Sequence, residues 1–231
     1  KEQKQKEDTY GNFTAVLKGV LGETIKNSER IQKALSIVSQ GKLNSSKLAK
    51  DSVYGAGPQI EIVDMPEGVY GKTEFNAEDP SKSKIQISKA LVEKFEYIMK
   101  STEHNDFENQ MALLEIVGTI LHEYGHYGDM LDGMVAIKDA ISGEIINSDM
   151  FYEEGFTIYP EGLEVGYELQ EMIYGKSDLH TDSGRFQIYK RRIEGKDSFM
   201  VDTKYQNTPQ SQWVTPSEID PTVIPQIPKK N

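Results

Sequence analysis

His122 and His126 stand four residues apart in the run Ile120-Leu121-His122-Glu123-Tyr124-Gly125-His126, and this spacing constrains the fold more than any other feature of the chain. An α-helix puts positions i and i+4 on one face, one turn apart, so two imidazoles can converge on one point. The flanking residues agree. Ala112 to Leu121 is mostly apolar and compatible with a helix. Glu115, Thr119, His122 and His126 share one polar stripe, while Leu113, Val117, Ile120 and Tyr124 form a second stripe suited to a core. The motif therefore belongs on a buried amphipathic helix. Histidines at this spacing ligate zinc, and the carboxylate beside the first is placed to take a proton from an attacking water. His122 and His126 are read as metal ligands and Glu123 as the catalytic base.

A catalytic zinc needs three protein ligands and an open position. The chain has no cysteine, so the third ligand must be a carboxylate or another histidine, and disulfides and a cysteine nucleophile are excluded. A formal net charge of -11 argues against nucleic acid and anionic membranes as partners, because both would be repelled at long range. The most apolar segment is broken by Glu115 and is too short to span a bilayer, and Lys1-Glu2-Gln3-Lys4-Gln5-Lys6 is no secretory signal. A soluble chain is expected. The missing initiator Met points to a processed product or a piece of a longer polypeptide.

The 231 residues suffice for one large domain. After a charged lead-in over residues 1–9, Asn12 to Gln40 reads as one or two helices ending at Gly41. Gln59-Ile60-Glu61-Ile62-Val63 and Lys84-Ile85-Gln86-Ile87-Ser88 alternate as strands, Val69 to Phe75 can form another, and a helix follows to Lys100. Asn105 and Glu108 make a capping pair for the motif helix, which should end near Gly128 to Gly133. Pro160 is suited to the first position of a further helix running to Tyr174 and stopping at Gly175. Beyond Asp202 five prolines lie among few large apolar residues. The expected division is an N-terminal helical segment over 1–50, a catalytic domain over 51–202 and a Pro-rich tail or linker over 203–231.

The helix after Pro160 carries Glu161, Glu164, Glu168 and Glu171. In the gluzincin arrangement the third ligand is a Glu on a second helix, often followed one turn later by another acid. Glu164 with Glu168 is similar to that arrangement, and Gly162 and Gly166 would let the two helices approach closely. Glu164 is therefore the first candidate for the third ligand. Glu168 remains open, as does Glu154, since Glu154-Gly155-Phe156-Thr157 looks like the segment around the third ligand of gluzincin aminopeptidases. Asp132 also remains open, six residues past His126, where metzincin-type motifs place their last ligand. Asp129 fits an acceptor for a ligand imidazole. His104 and His180 read as ordinary loop histidines, although His180, like Tyr159, is a candidate to stabilise the oxyanion.

Ile120 to His126 followed by Asp129 resembles the active helix of lethal-factor-like metalloproteases, and Glu164-xxx-Glu168 resembles their third-ligand helix. The longer pattern is similar to zincin metallopeptidase toxin domains carried at the C-terminus of bacterial polymorphic secreted proteins. It runs from Thr73-Glu74-Phe75 through the Ile85/Ile87 strand and the motif to Glu164-Val165-Gly166-Tyr167 and Tyr174-Gly175, over roughly residues 59–176. The resemblance implies an α+β zincin-like fold with a small mixed sheet over the HExxH helix, and Lys84 to Ser88 is expected at the sheet edge that takes the substrate. It implies a zinc-dependent endopeptidase that hydrolyses peptide bonds with metal-activated water, secreted as a bacterial effector or toxin. Its partners would be a peptide or protein substrate and an immunity or inhibitor protein. The alternative is a non-catalytic zincin-like binding or scaffold module, against which the retained Glu123 argues.

Overall fold

Serine and glycine punctuate the N-terminal helices. In the computed structural model, side chains are described for residues 9–101, 108–133, 164–175 and 219–226, and backbone alone for 106–107 and for short strands between 137 and 218. Helix α1 (Gly11–Ala15) passes through a π-turn over Val16–Val20 into α2 (Leu21–Asn27). Ser28 is extended and caps α3 (Glu29–Val38), its hydroxyl accepting from the Ile31 amide, which satisfies one of the unpaired donors of a helix start. Gly41 turns the chain with φ of +81°, and Asn44 caps α4 (Ser45–Asp51).

Tyr10 offers α1 no side-chain cap, and the missing acceptor comes from a distant helix. Glu96, 4% exposed, accepts from the Phe13 amide at 2.8 Å and from Asn12 Nδ2 at 2.9 Å, and pairs with Lys100 at 3.0 Å. Removing this carboxylate would leave a buried N–H unsatisfied. Glu96→Ala should therefore lower stability by about 2 kcal/mol, read as a lower denaturant midpoint. An unchanged midpoint would mean that the α1 amide finds another acceptor.

The central sheet joins β1 (Gln59–Val63), β2 (Gly71–Glu74) and β3 (Lys84–Ser88) in the order β1-β3-β2. β1 runs parallel to β3 and β2 antiparallel to it, with Ile60 opposite Ile85 and Thr73 opposite Ile85 on the other side. The sheet is mixed, as expected. Lys84 to Ser88, expected at an edge, is instead the central strand, and β2 is the edge that faces the motif helix. Alternation reports which face of a strand is buried and is the same for edge and central strands, so it could not distinguish them. Ile85 and Ile87 are fully buried.

Helix α5 (Lys89–Lys100) follows β3 directly. Helix α6 (Asp106–Asp132) carries the motif for 27 residues and ends at Gly133, with φ of +87°. Almost every side chain from Ala112 to Met130 is buried, so α6 is the central rod of the core, enclosed on all sides rather than along one stripe. Helix α7 (Val165–Tyr174) packs against it. The chain was expected to enter this helix at Pro160, which lies outside the described residues.

One apolar cluster takes in Phe13, Leu35, Ile87, Val117, Leu169 and Val223, so the N-terminal helices, the sheet, α6 and α7 share a core. Part of the segment read as tail or linker also contributes. Ile219, Val223 and Ile224 are buried, and Thr222 and Ser28 are linked by a 3.1 Å hydroxyl hydrogen bond. The remaining strands form antiparallel pairings over Ile137–Lys138 with Ile145–Asn147 (β4, β5), Phe151–Glu153 with Phe156–Ile158 (β6, β7), and Gln187–Ile193 with Lys196–Asp202 (β8, β9), the last extended by Ser217–Glu218 (β10).

Candidate metal centre

The helical turn between His122 and His126 brings their rings to 5.2 Å between centroids. Glu164 reaches them from the start of α7. Its Oε1 contacts His126 Nε2 and lies 3.3 Å from His122 Nε2. One ligand atom from each of the three residues lies within 4.8 Å of the other two, a group able to hold a metal ion.

Glu164 does not sit inside a helix, as the glutamate spacing suggested, but at the N-cap of α7. Its backbone is extended, with φ -120° and ψ 123°. Its oxygens accept from the Gly166 amide at 3.2 Å and the Tyr167 amide at 2.8 Å. The unpaired amides of a helix start thus orient the carboxylate and favour its charged form. Glutamate is not among the preferred cap residues, which is why local rules extended the helix upstream.

The two helices meet through glycine. A side chain at Gly166 would collide with the His122 imidazole, and one at Gly125 would come within 3.1 Å of Leu169. Gly162, expected to share this role, lies outside the described residues. Tyr167, 44% exposed, stands edge-on to His122 with centroids 5.0 Å apart.

Charge accumulates around the pair. Burial opposes protonation of His126, yet Glu164, Glu123 and Asp129 outweigh it and raise its pKa to about 9. Burial likewise opposes ionisation of Glu164, but His126 and His122 hold it well below the usual carboxylate range. A proton on His126 and a metal ion therefore compete for the same nitrogen. Metal uptake near neutral pH should release about one proton and weaken as pH falls below the His126 value, because ligation needs the neutral imidazole. Calorimetry in buffers of different ionisation enthalpy measures this, and a heat independent of the buffer would contradict it.

The other candidates separate. Asp132 is on the last turn of α6 and is not one of the convergent group. Glu168 is half-buried, with its carboxyl pKa raised by burial and then by Glu171 and Glu164, and it too stands outside the group. Asp129 is fully buried and acts on His126 through its charge. Glu154, Tyr159, His104 and His180 lie outside the described residues.

A family model described as metallopeptidase toxin 3 matches residues 6–175. The chain belongs to this metallopeptidase toxin family. No curated protein and no solved structure matches it. The match starts well before residue 59 and covers the residues of the N-terminal helices as well as those of the sheet and α6. A metal ion is implied by the family, and the His122, His126 and Glu164 group is where the described residues could hold one. No helix among the described residues is long and apolar enough to cross a membrane.

One contact in the toxin domain had no local signal. Glu123 is 4% exposed, and the Thr73 hydroxyl donates to its Oε2 at 2.7 Å and to its backbone carbonyl at 2.8 Å. Thr73 lies 50 residues earlier in the chain, and strand alternation shows only that it shares a face with Gly71.

Proposed function

We propose that this chain is a zinc-dependent endopeptidase of zincin-like α+β fold, acting as a secreted bacterial effector that cleaves a protein in a target cell. What supports the reading is the convergence of two imidazole nitrogens and one carboxylate oxygen within 4.8 Å beside a buried glutamate. His122, His126 and Glu164 would hold the metal. Two neutral nitrogens and one carboxylate, with no thiolate, suit a catalytic zinc that keeps a position open. Bound zinc would supply Lewis-acid polarisation of the scissile carbonyl and make water a stronger nucleophile.

Glu123 acts as the base, taking a proton from the attacking water and passing it to the leaving amine. An extended peptide would add to the edge of β2 that no other described strand pairs with, beside Glu123, through backbone hydrogen bonds. The net charge of -11 favours neutral or basic segments over acidic ones. An immunity protein in the producing cell belongs to the same reading.

The test pairs metal analysis of the purified chain with digestion of a random peptide library. About one zinc per chain together with peptide cleavage supports the proposal. Absence of metal in every preparation would refute it. A chain that holds zinc but cleaves nothing would be a scaffold.

A further inference from the structure

We propose that the β2 edge is a clamp for the catalytic base, in which Thr73 and Gly71 position the Glu123 carboxylate. The inference rests on the peptidase reading above. Glu123 leaves α6 on the side facing β2, and two β2 residues meet its two oxygens differently. Thr73, itself buried, donates to Oε2 at 2.7 Å. At Gly71 a Cβ would stand 2.5 Å from Oε1 and 2.9 Å from Cγ, so only glycine leaves that oxygen where it is. Gly71 and Thr73 alternate onto the same face of the strand, and the hydrogen bonds from β2 to β3 fix that face in register.

The Thr73 hydroxyl has one proton and two acceptors, Glu123 Oε2 and the Glu123 carbonyl at 2.8 Å. While the carboxylate is charged, the proton belongs on Oε2, the stronger acceptor. That leaves Oε1 as the oxygen that takes a proton from water. Once Glu123 is protonated, the hydroxyl can turn to the carbonyl without moving its strand. The base is thus held in place through both halves of the proton transfer. The same strand would offer substrate the edge that no other described strand pairs with, so the distance from scissile bond to base is set within one element. Thr73 and Gly71 are positioning residues and need not touch the substrate.

Thr73→Val keeps the shape and removes the donor. It should lower kcat by about tenfold or more, as expected for a hydrogen bond to a charged group, with KM and metal content within about twofold of wild type. Thr73→Ser should restore most of the rate. Gly71→Ala should also lower kcat at unchanged metal content, since the Cβ meets the movable end of Glu123 rather than backbone. A double-mutant cycle of Thr73→Val with Glu123→Ala, read by unfolding of the metal-free chain, is independent of turnover. It should show coupling of about fivefold or more in the unfolding equilibrium constant. Wild-type kcat in Thr73→Val, a Ser variant as slow as Val, or multiplicative effects in the cycle would each overturn the clamp. If the wild-type chain cleaves no peptide, the peptidase reading fails and the cycle alone decides whether the clamp exists.

Discussion

Glu123→Gln should leave metal content and folding intact and lower peptide hydrolysis by at least about a hundredfold, the low end of what a positioned general base contributes. The expectation rests on the division of labour proposed above. The group that could hold a metal consists of His122, His126 and Glu164 and omits Glu123, whose carboxylate accepts from Thr73 on β2 instead. Glutamine preserves the shape and an acceptor oxygen for Thr73 but cannot accept a proton in the working pH range. Metal content and circular dichroism would establish that the site persists, and single-turnover kinetics on a cleaved peptide would give the loss. In a susceptible cell, wild-type expression should be toxic and the Gln variant harmless. Toxicity that persists in the variant would assign the harm to binding rather than hydrolysis.

The second large effect concerns Glu164, the proposed third ligand. Glu164→Ala should weaken metal affinity by at least about a hundredfold, because a binding energy on the order of 10 kcal/mol is shared among a few ligands. His122→Ala and His126→Ala should do the same. Glu164 also caps α7 through the Gly166 and Tyr167 amides, so its loss costs helix stability as well. Glu164→Gln separates the two roles, since an amide oxygen can still cap but is a poor metal ligand. Gly166→Ala approaches the same site from the backbone, because a methyl there displaces the His122 ring. Glu171→Ala, exposed on the same helix, and Asp132→Ala, outside the convergent group, should leave affinity within about threefold. Competition with a chromogenic chelator measures all of these. A large loss in Asp132→Ala with none in Glu164→Ala would reassign the third ligand.

The helix through His122 and His126, the strands at 59–63 and 84–88 and the helix to Lys100 were legible from local periodicity alone, because each pattern repeats within a few residues along the chain. The absence of cysteine restricted the ligand chemistry equally directly. Other features needed the tertiary structure. Four glutamates at helical spacing do not reveal that Glu164 ends its helix, since a carboxylate becomes a cap only when the amides and the imidazoles it serves are in place. Alternation at Lys84 to Ser88 marks a buried face but is silent on neighbours, so the fold decided that β3 is central and β2 the edge.

Composition marked the stretch beyond Asp202 as a tail, yet Ile219, Val223 and Ile224 are buried, and whether scattered apolar residues find a core depends on what the rest of the chain leaves open. The His122-Glu123-xx-His126 turn marked two candidate metal ligands and a candidate base because their geometry is local to one helix. The carboxylate that converges on the two imidazoles and the hydroxyl that donates to Glu123 lie 38 residues downstream of His126 and 50 upstream of Glu123, separations that only chain packing can close.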